Sequence, residues 1–303
     1  MNLDIVLSLC IPTNGVVEWV IPVLDSIFEE KNPLGIFEVI VTDNGDNVEF
    51  EKKIKEYTSV HNNLIYKKTK AIQFYNQIEA FKLARGKMIK FVNHRMKFLP
   101  GSLNYLISFV QNNVNEKPVV YFSNGFLQDS YFDNFNEYVN GLSYWSSWSA
   151  GTTMWKEDFD KLDLTKTFNK LFPHIDMIFS DKEKNGYLID NHVLMNEIYV
   201  DDTKKGKYDL FNAFAVEYLA IILKLYRDGE ITIQTFYNIK KQIIKFVADL
   251  YFQYVILKKP CSYDLSGYRN SINIFINHKE ILKQIPNLIC KKILNCVKNN
   301  FRK

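Results

Sequence analysis

Two apolar, β-branched runs end in near-matching polar sets, and this pairing constrains the fold more than any other feature of the chain. The first is Leu7-Ser8-Leu9-Cys10-Ile11-Pro12-Thr13-Asn14, and the second is Phe37-Glu38-Val39-Ile40-Val41-Thr42-Asp43-Asn44-Gly45. Such runs read as buried parallel strands, which brings hydroxyl, amide and carboxylate groups to the carboxyl edge of two neighbouring strands. Open α/β sheets bind ligands at that edge. Asp43 can accept from a base N–H or a ribose hydroxyl, and Thr13 can donate or accept beside it, so the pair suits a nucleoside. Two buried strands followed by ordinary turn residues is the plainer reading, and it leaves the matching polar sets unexplained.

The rest of the first half alternates. Helical spacing over 18–30 puts Val20, Val23, Leu24 and Ile27 on one face, and Asn32-Pro33 stops it. A strand over 37–42, a helix over 50–60, a short strand over 64–67, a helix over 72–84 and a strand over 88–92 follow. Repeated strand and helix alternation implies an α/β fold with a parallel sheet covered on both faces. Residues 103–112 read as helix and 118–122 as another buried strand. The aromatic segment 131–155 carries mixed signals and is expected to form strands and loops over the site.

Ile11-Pro12-Thr13-Asn14, then Val41-Thr42-Asp43-Asn44-Gly45, resembles the family 2 glycosyltransferases with the GT-A fold. A third block, Phe74 to Val92 with Ala84-Arg85-Gly86-Lys87-Met88-Ile89 inside it, follows the family's helix, A-x-G-x-Y-I turn and strand. The resemblance covers roughly residues 3–200 and is carried mostly by the first hundred. It implies a GT-A-like (Rossmann-like) mixed, mainly parallel sheet flanked by helices. It also implies a cytoplasmic enzyme that moves a sugar from a nucleotide-sugar donor to a saccharide or polyprenyl-linked acceptor, in bacterial O-antigen or capsule-type polysaccharide synthesis. Pro12, Thr13, Asn14, Asp43 and Asn76 then fall on the nucleoside side.

That family usually places Asp-x-Asp after the strand ending near Val92, because two carboxylates can hold Mn²⁺ or Mg²⁺ against the donor's diphosphate. This chain has Asn93-His94-Arg95 there. Asn is a weak neutral ligand and Arg a cation that repels a metal at close range. Either Arg95, with His94, stands in for the metal by pairing with phosphate oxygens, or the site is degenerate and the protein is a silent carbohydrate- or nucleotide-binding or scaffold protein. A solvated turn with a surface salt bridge is the plainer reading of His94 and Arg95.

Inverting transfer needs a base for the acceptor hydroxyl, and Asp176 in Phe172-Pro173-His174-Ile175-Asp176 is the candidate; a helix-starting Asp held by free backbone N–H groups is the alternative. In the resemblance, a small-residue stretch between donor sugar and acceptor falls on Ala150 to Thr153, with Gly151 permitting close approach and Thr152 beside it. Trp145 and Trp148 offer indole faces for sugar rings, or simply pack in the core. His192 could donate to a phosphate or, like His94, serve as a weak metal candidate.

Composition narrows the field. The chain has 303 residues, enough for an α/β domain of 1–205 and a helical carboxyl-terminal region of 206–303, and its net charge of +4 is spread among acids, so no nucleic-acid partner is signalled. Four cysteines form neither a C-x-x-C pair nor a zinc spacing, which fits a reducing compartment. Neither a signal peptide nor an uncharged run of about twenty apolar residues is present. Lys204-Lys205-Gly206-Lys207 reads as a linker, and 210–227 and 233–257 as helices. The last segment, 278–303, sets Ile281, Leu282, Ile285, Leu288, Ile289, Ile293, Leu294 and Val297 among Lys and Arg residues. Such a basic amphipathic stretch can lie on the inner face of the cell membrane. Packing on the catalytic domain, or in a homodimer, explains the apolar face equally well.

Overall fold

The structure is a computed structural model that describes residues 4–31, 33 and 36–290. Its chain divides into two compact units, Met1–Ile198 and Tyr199–Lys303.

In the first unit, β1 (Leu7–Thr13), α1 (Val17–Phe28), β2 (Phe37–Asp43), α2 (Val48–Val60), β3 (Leu64–Lys68), α3 (Asn76–Leu83) and β4 (Met88–Phe91) alternate as the hydrophobic pattern requires. They continue into β5 (Met96–Phe98), α4 (Ser102–Asn113), β6 (Val119–Phe122), β7 (Ser130–Phe132), α5 (Phe135–Leu142), β8 (Thr153–Trp155), α6 (Lys156–Asp160), α7 (Pro173–Ile178), β9 (Tyr187–Asp190) and β10 (Met195–Glu197). The central sheet has the order β3-β2-β1-β4-β8, parallel except for the antiparallel β4–β8 pair. This is a mixed, mainly parallel sheet flanked by helices, the GT-A-like arrangement. β1 lies between β2 and β4, so the chain steps to one side of β1 and then to the other. That reversal opens a crevice between the carboxyl ends of β1 and β4.

Alternate residues of each strand feed two cores. Leu9, Ile11, Val39 and Val41 pack with Val20, Val23, Leu24 and Ile27 of α1 and Leu103, Leu106 and Ile107 of α4. Cys10, Ile40, Ile89 and Phe91 pack with Ile78, Ala80 and Phe81 of α3. Each such aliphatic side chain contributes about 1.5–3 kcal/mol when fully buried. Glu38 is buried in β2, and it is neutralised by Arg85, whose Nε and Nη2 donate at 2.9 and 2.7 Å, with Ser8 Oγ donating at 2.6 Å. A Cβ on Gly86 would stand 2.6 Å from Ser8 N, so only glycine lets this turn lie against β1.

Several expectations are revised. The helix expected over 72–84 begins with a 3-10 turn, Gln73–Tyr75, because Gln73 adopts φ 47°. Val119–Phe122 leaves the central sheet and joins a three-stranded one, order β6-β9-β7. The segment expected as strands and loops contains α5, capped by Asn134, which accepts from Glu137 N at 2.9 Å. Phe135, Tyr138, Val139 and Leu142 give α5 a buried face at helical spacing, which Asn140-Gly141 obscures in the sequence. Asn32, half of the expected stop after α1, lies outside the described residues.

The second unit is helical. α8 (Leu210–Asn212) runs through a π turn, Ala213–Glu217, into α9 (Tyr218–Arg227). α10 (Ile233–Leu250) likewise runs into a π turn, Tyr251–Ile256, and α11 (Tyr268–Phe275) and α12 (His278–Leu282) follow. Phe211, Leu219, Ile222, Ile239, Ile243, Val247, Ile272 and Ile281 are buried in it. Of the basic apolar segment, residues 291–303, including Ile293, Leu294 and Val297, lie outside the described residues. Among the described residues no helix is long and apolar enough to cross a membrane.

Candidate functional site

The carboxyl ends of β1, β2 and β4 bring Thr13, Asp43 and the turn 93–95 to one sheet edge. In the crevice between β1 and β4, His94 Nδ1 and Thr13 Oγ1 share a hydrogen bond of 2.9 Å. Thr13 Oγ1 also accepts from Gly15 N at 3.1 Å, which shapes the turn after β1 around the left-handed Gly15, φ 76°. Trp19, on α1, covers both members of the β4 turn. Its ring meets His94 edge-on at 5.1 Å, and the Arg95 guanidinium lies 5.5 Å from its centre.

Burial, with Arg95 adding to it, pushes the His94 imidazole down to about 3, so it is neutral at physiological pH. Arg95 is then the cation of this turn. Its Nε is buried and has no hydrogen-bond partner within the protein. Asn93 is turned inward: its Oδ1 accepts from Arg95 N at 3.0 Å and its carbonyl from Met96 N at 2.9 Å. These donors do not fit a divalent cation. The amide oxygen of Asn93 is engaged, a guanidinium sits beside it, and among the described residues no three His, Cys, Asp or Glu side chains converge. His192 lies apart on an exposed loop, stacked on Tyr105 at 3.9 Å.

The β2 end is the acidic counterpart. Asp43 has no exposed surface; Oδ1 accepts from Gly45 N at 2.8 Å, and Oδ2 from Tyr66 Oη at 3.1 Å and Lys68 Nζ at 3.0 Å. Lys68 itself is 40% exposed. Asn76, expected beside the nucleoside, is buried and faces the backbone. Its Nδ2 donates to Thr13 O at 3.1 Å and Thr42 O at 2.8 Å, and its Oδ1 accepts from Thr69 Oγ1 at 2.8 Å. Pro12 is half-buried and Asn14 exposed at the same edge.

Asp176 lies half-buried in the first turn of α7, where Oδ2 accepts from Asn169 N at 2.5 Å. α7 packs on α3 and β8. Beside it, buried His174 points Nε2 at Ser147 O, 3.2 Å away, and burial pushes its imidazole down to about 4. Gly151 and Thr152 are covered rather than open. A Cβ on Gly151 would stand 2.2 Å from the Tyr121 ring, so the close approach that glycine permits there is made by Tyr121, and Thr152 is fully buried. Trp145 and Trp148 remain half-buried.

Trp19, Tyr66 and Lys68 carry no sequence signal beyond their types. Lys68 sits one residue past the strand expected over 64–67, and its position opposite Asp43 in the β2–β3 register is what pairs them.

No protein-family profile and no curated protein matches the sequence. Solved structures match by fold. S. aureus TarS 1–349 in complex with UDP-GlcNAc aligns over 89% of this chain and 80% of its own, with TM-score 0.59 and 13% identity. TarS 1–349 without that ligand aligns over 82% and 74%, with TM-score 0.56 and 12% identity. TarS 1–349 with UDP aligns over 89% and 76%, with TM-score 0.52 and 12% identity. At this identity the likeness establishes the fold, the GT-A-like arrangement that the three sequence blocks anticipate.

Proposed function

We propose that the chain is a nucleotide-sugar-dependent glycosyltransferase, transferring a sugar to a saccharide or lipid-linked saccharide acceptor in cell-surface polysaccharide synthesis. The observation that carries this reading is Arg95, a cation with a buried unsatisfied donor at the crevice between β1 and β4. Fold neighbours that hold UDP-GlcNAc and UDP support it. Arg95 pairs with the diphosphate and stabilises the negative charge that develops as the nucleotide departs. Neutral His94 orients the turn through Thr13, and Trp19 holds the guanidinium flat. The reaction is inverting, with Asp176 accepting the proton of the acceptor hydroxyl as oxygen attacks the anomeric carbon. The basic segment 278–303 brings the chain to an anionic bilayer.

Thermal stabilisation by UDP-, GDP-, dTDP- and CMP-sugars, each with EDTA or Mn²⁺, tests the donor site. Stabilisation and release of nucleoside diphosphate in excess EDTA are expected; nucleotide affinity without release identifies a silent binder. Asp176→Asn is expected to abolish transfer while donor-induced stabilisation persists. Flotation of the full chain on anionic and zwitterionic liposomes tests the membrane role, and equal partitioning removes it.

A further inference from the structure

Among the described residues Phe126 is the phenylalanine left largely open to solvent, 52% exposed. A lone exposed apolar ring needs no explanation, but this one is built into place from both sides. Its face lies on Trp145 at 4.6 Å and 14°, and Trp145 in turn stacks on Tyr144 at 5.3 Å and 24°. Trp148 meets Phe126 edge-on at 5.4 Å and 88°. The result is a three-ring stack whose outermost member ends in water.

The backbone beneath Phe126 turns sharply. Asn124 and Gly125, just before it, both take left-handed conformations, φ 53° and 83°. A non-glycine residue there persists only when its surroundings over-determine it, and such positions cluster at ligand sites. Here the Asn124 side chain supplies the restraint: Oδ1 accepts from Leu194 N and Met195 N at 2.7 and 2.9 Å, and Nδ2 donates to Met195 O at 2.9 Å. On the other side, Tyr121 Oη lies 2.5 Å from Trp145 O and 2.8 Å from Trp148 O, fixing the backbone of both indoles.

The same segment leads to the crevice. Thr152 O accepts from Phe91 N at 3.0 Å at the end of β4, two residues before Asn93. Trp148 lies four residues before Thr152, so the indole's backbone is within about 14 Å of that strand end along an extended chain. That upper bound is within the reach of a di- or trisaccharide.

The geometry points to Phe126, backed by Trp145 and edged by Trp148, as a subsite for the apolar C–H face of a pyranose ring in an oligosaccharide acceptor, one or more rings back from the reacting hydroxyl. This rests on the glycosyltransferase reading and specifies its acceptor as one that presents a ring sugar. An aromatic face matches the C–H patch of a pyranose, whereas a flexible anionic polyol presents no flat apolar surface.

Saturation-transfer NMR on the full chain with maltotriose, cellotriose and β-1,4-galactotriose, and with glycerol phosphate as the ring-free probe, tests the subsite. Transfer to ring C–H protons of at least one trisaccharide and none to glycerol phosphate is expected. Phe126→Ala should weaken that binding roughly tenfold or more, and Phe126→Tyr should keep it. The nucleotide-induced thermal shift, read on the same samples, should be equal in the wild type and Phe126→Ala. Absence of transfer from every trisaccharide, or equal binding by Phe126→Ala, overturns the subsite. Absence of a thermal shift in the wild type with each of UDP, GDP, dTDP and CMP instead overturns the donor reading, and the trisaccharide result then decides the platform by itself.

Discussion

The strand ends at β2 and β4 sit on one sheet edge and have opposite fates. At β2 the anionic Asp43 is fully buried, and both of its oxygens are engaged by Gly45, Tyr66 and Lys68. At β4 the cationic Arg95 rests on Trp19 with a buried donor unmatched. A polar group whose hydrogen bonds close within the protein stabilises the fold, and one left open is available to a ligand. The acid of this edge is therefore architecture, and the proposed chemistry rests on the guanidinium.

Arg95→Met should produce the largest change: nucleotide-sugar turnover falling by about 10²–10³-fold, as removal of a transition-state donor does, with the midpoint of urea unfolding almost unmoved. Steady-state kinetics in excess chelator reads it, and turnover that returns only with Mn²⁺ breaks the contrast. Asp43→Asn should do the reverse at the level of folding. It weakens the Lys68 and Tyr66 bonds and should lower stability by about 1–3 kcal/mol in urea titrations; an unchanged midpoint would mean that the carboxylate is not architectural.

Titration sharpens the contrast further. His94 and His174 fall from 6.5 when unfolded to about 3 and 4 when folded, so the unfolded chain binds more protons as pH drops. Stability from these two groups is complete above about 6.5 and is lost towards pH 3–4. Lys90 is fully buried in β4, donates to Ala150 O, and burial alone lowers it from 10.5 to about 7. Its depressed value means the unfolded chain holds the proton more tightly, so stability rises between pH 7 and 10.5. Thermal midpoints at about pH 5, 7 and 9 should climb, and Lys90→Met should flatten the upper half of the climb; a midpoint that falls from 7 to 9 contradicts the sign. The smallest effect is expected from Trp19→Leu, which removes the surface under Arg95: a loss in turnover of less than about tenfold with nucleotide affinity nearly kept.

The parallel core was legible because β1, β2 and β4 are buried on both faces and read as mainly apolar runs, interrupted by buried Ser8, Glu38 and Lys90. The turn 93–95 was legible as a departure from Asp-x-Asp. Long-range pairing was not. Nothing in the run from Leu64 to Lys68 announces that Lys68 will face Asp43 until the β2–β3 register is known, and Trp19 reads as one more apolar residue of an amphipathic helix. Val119–Phe122 looks like a fifth central strand from its composition, and only its register with Tyr187–Asp190 draws it into another sheet. Gly151 reads as room for a ligand, and glycine cannot reveal from sequence which neighbour fills the space it leaves.

Asn76 stitches the carbonyls of Thr13 and Thr42 together from behind the edge. Asn76 thus adds a side-chain tie to two strand tips that the β1–β2 ladder already holds side by side. The tie comes from the first turn of α3 rather than from the turn after β4, so residues 93–95 take no part in it.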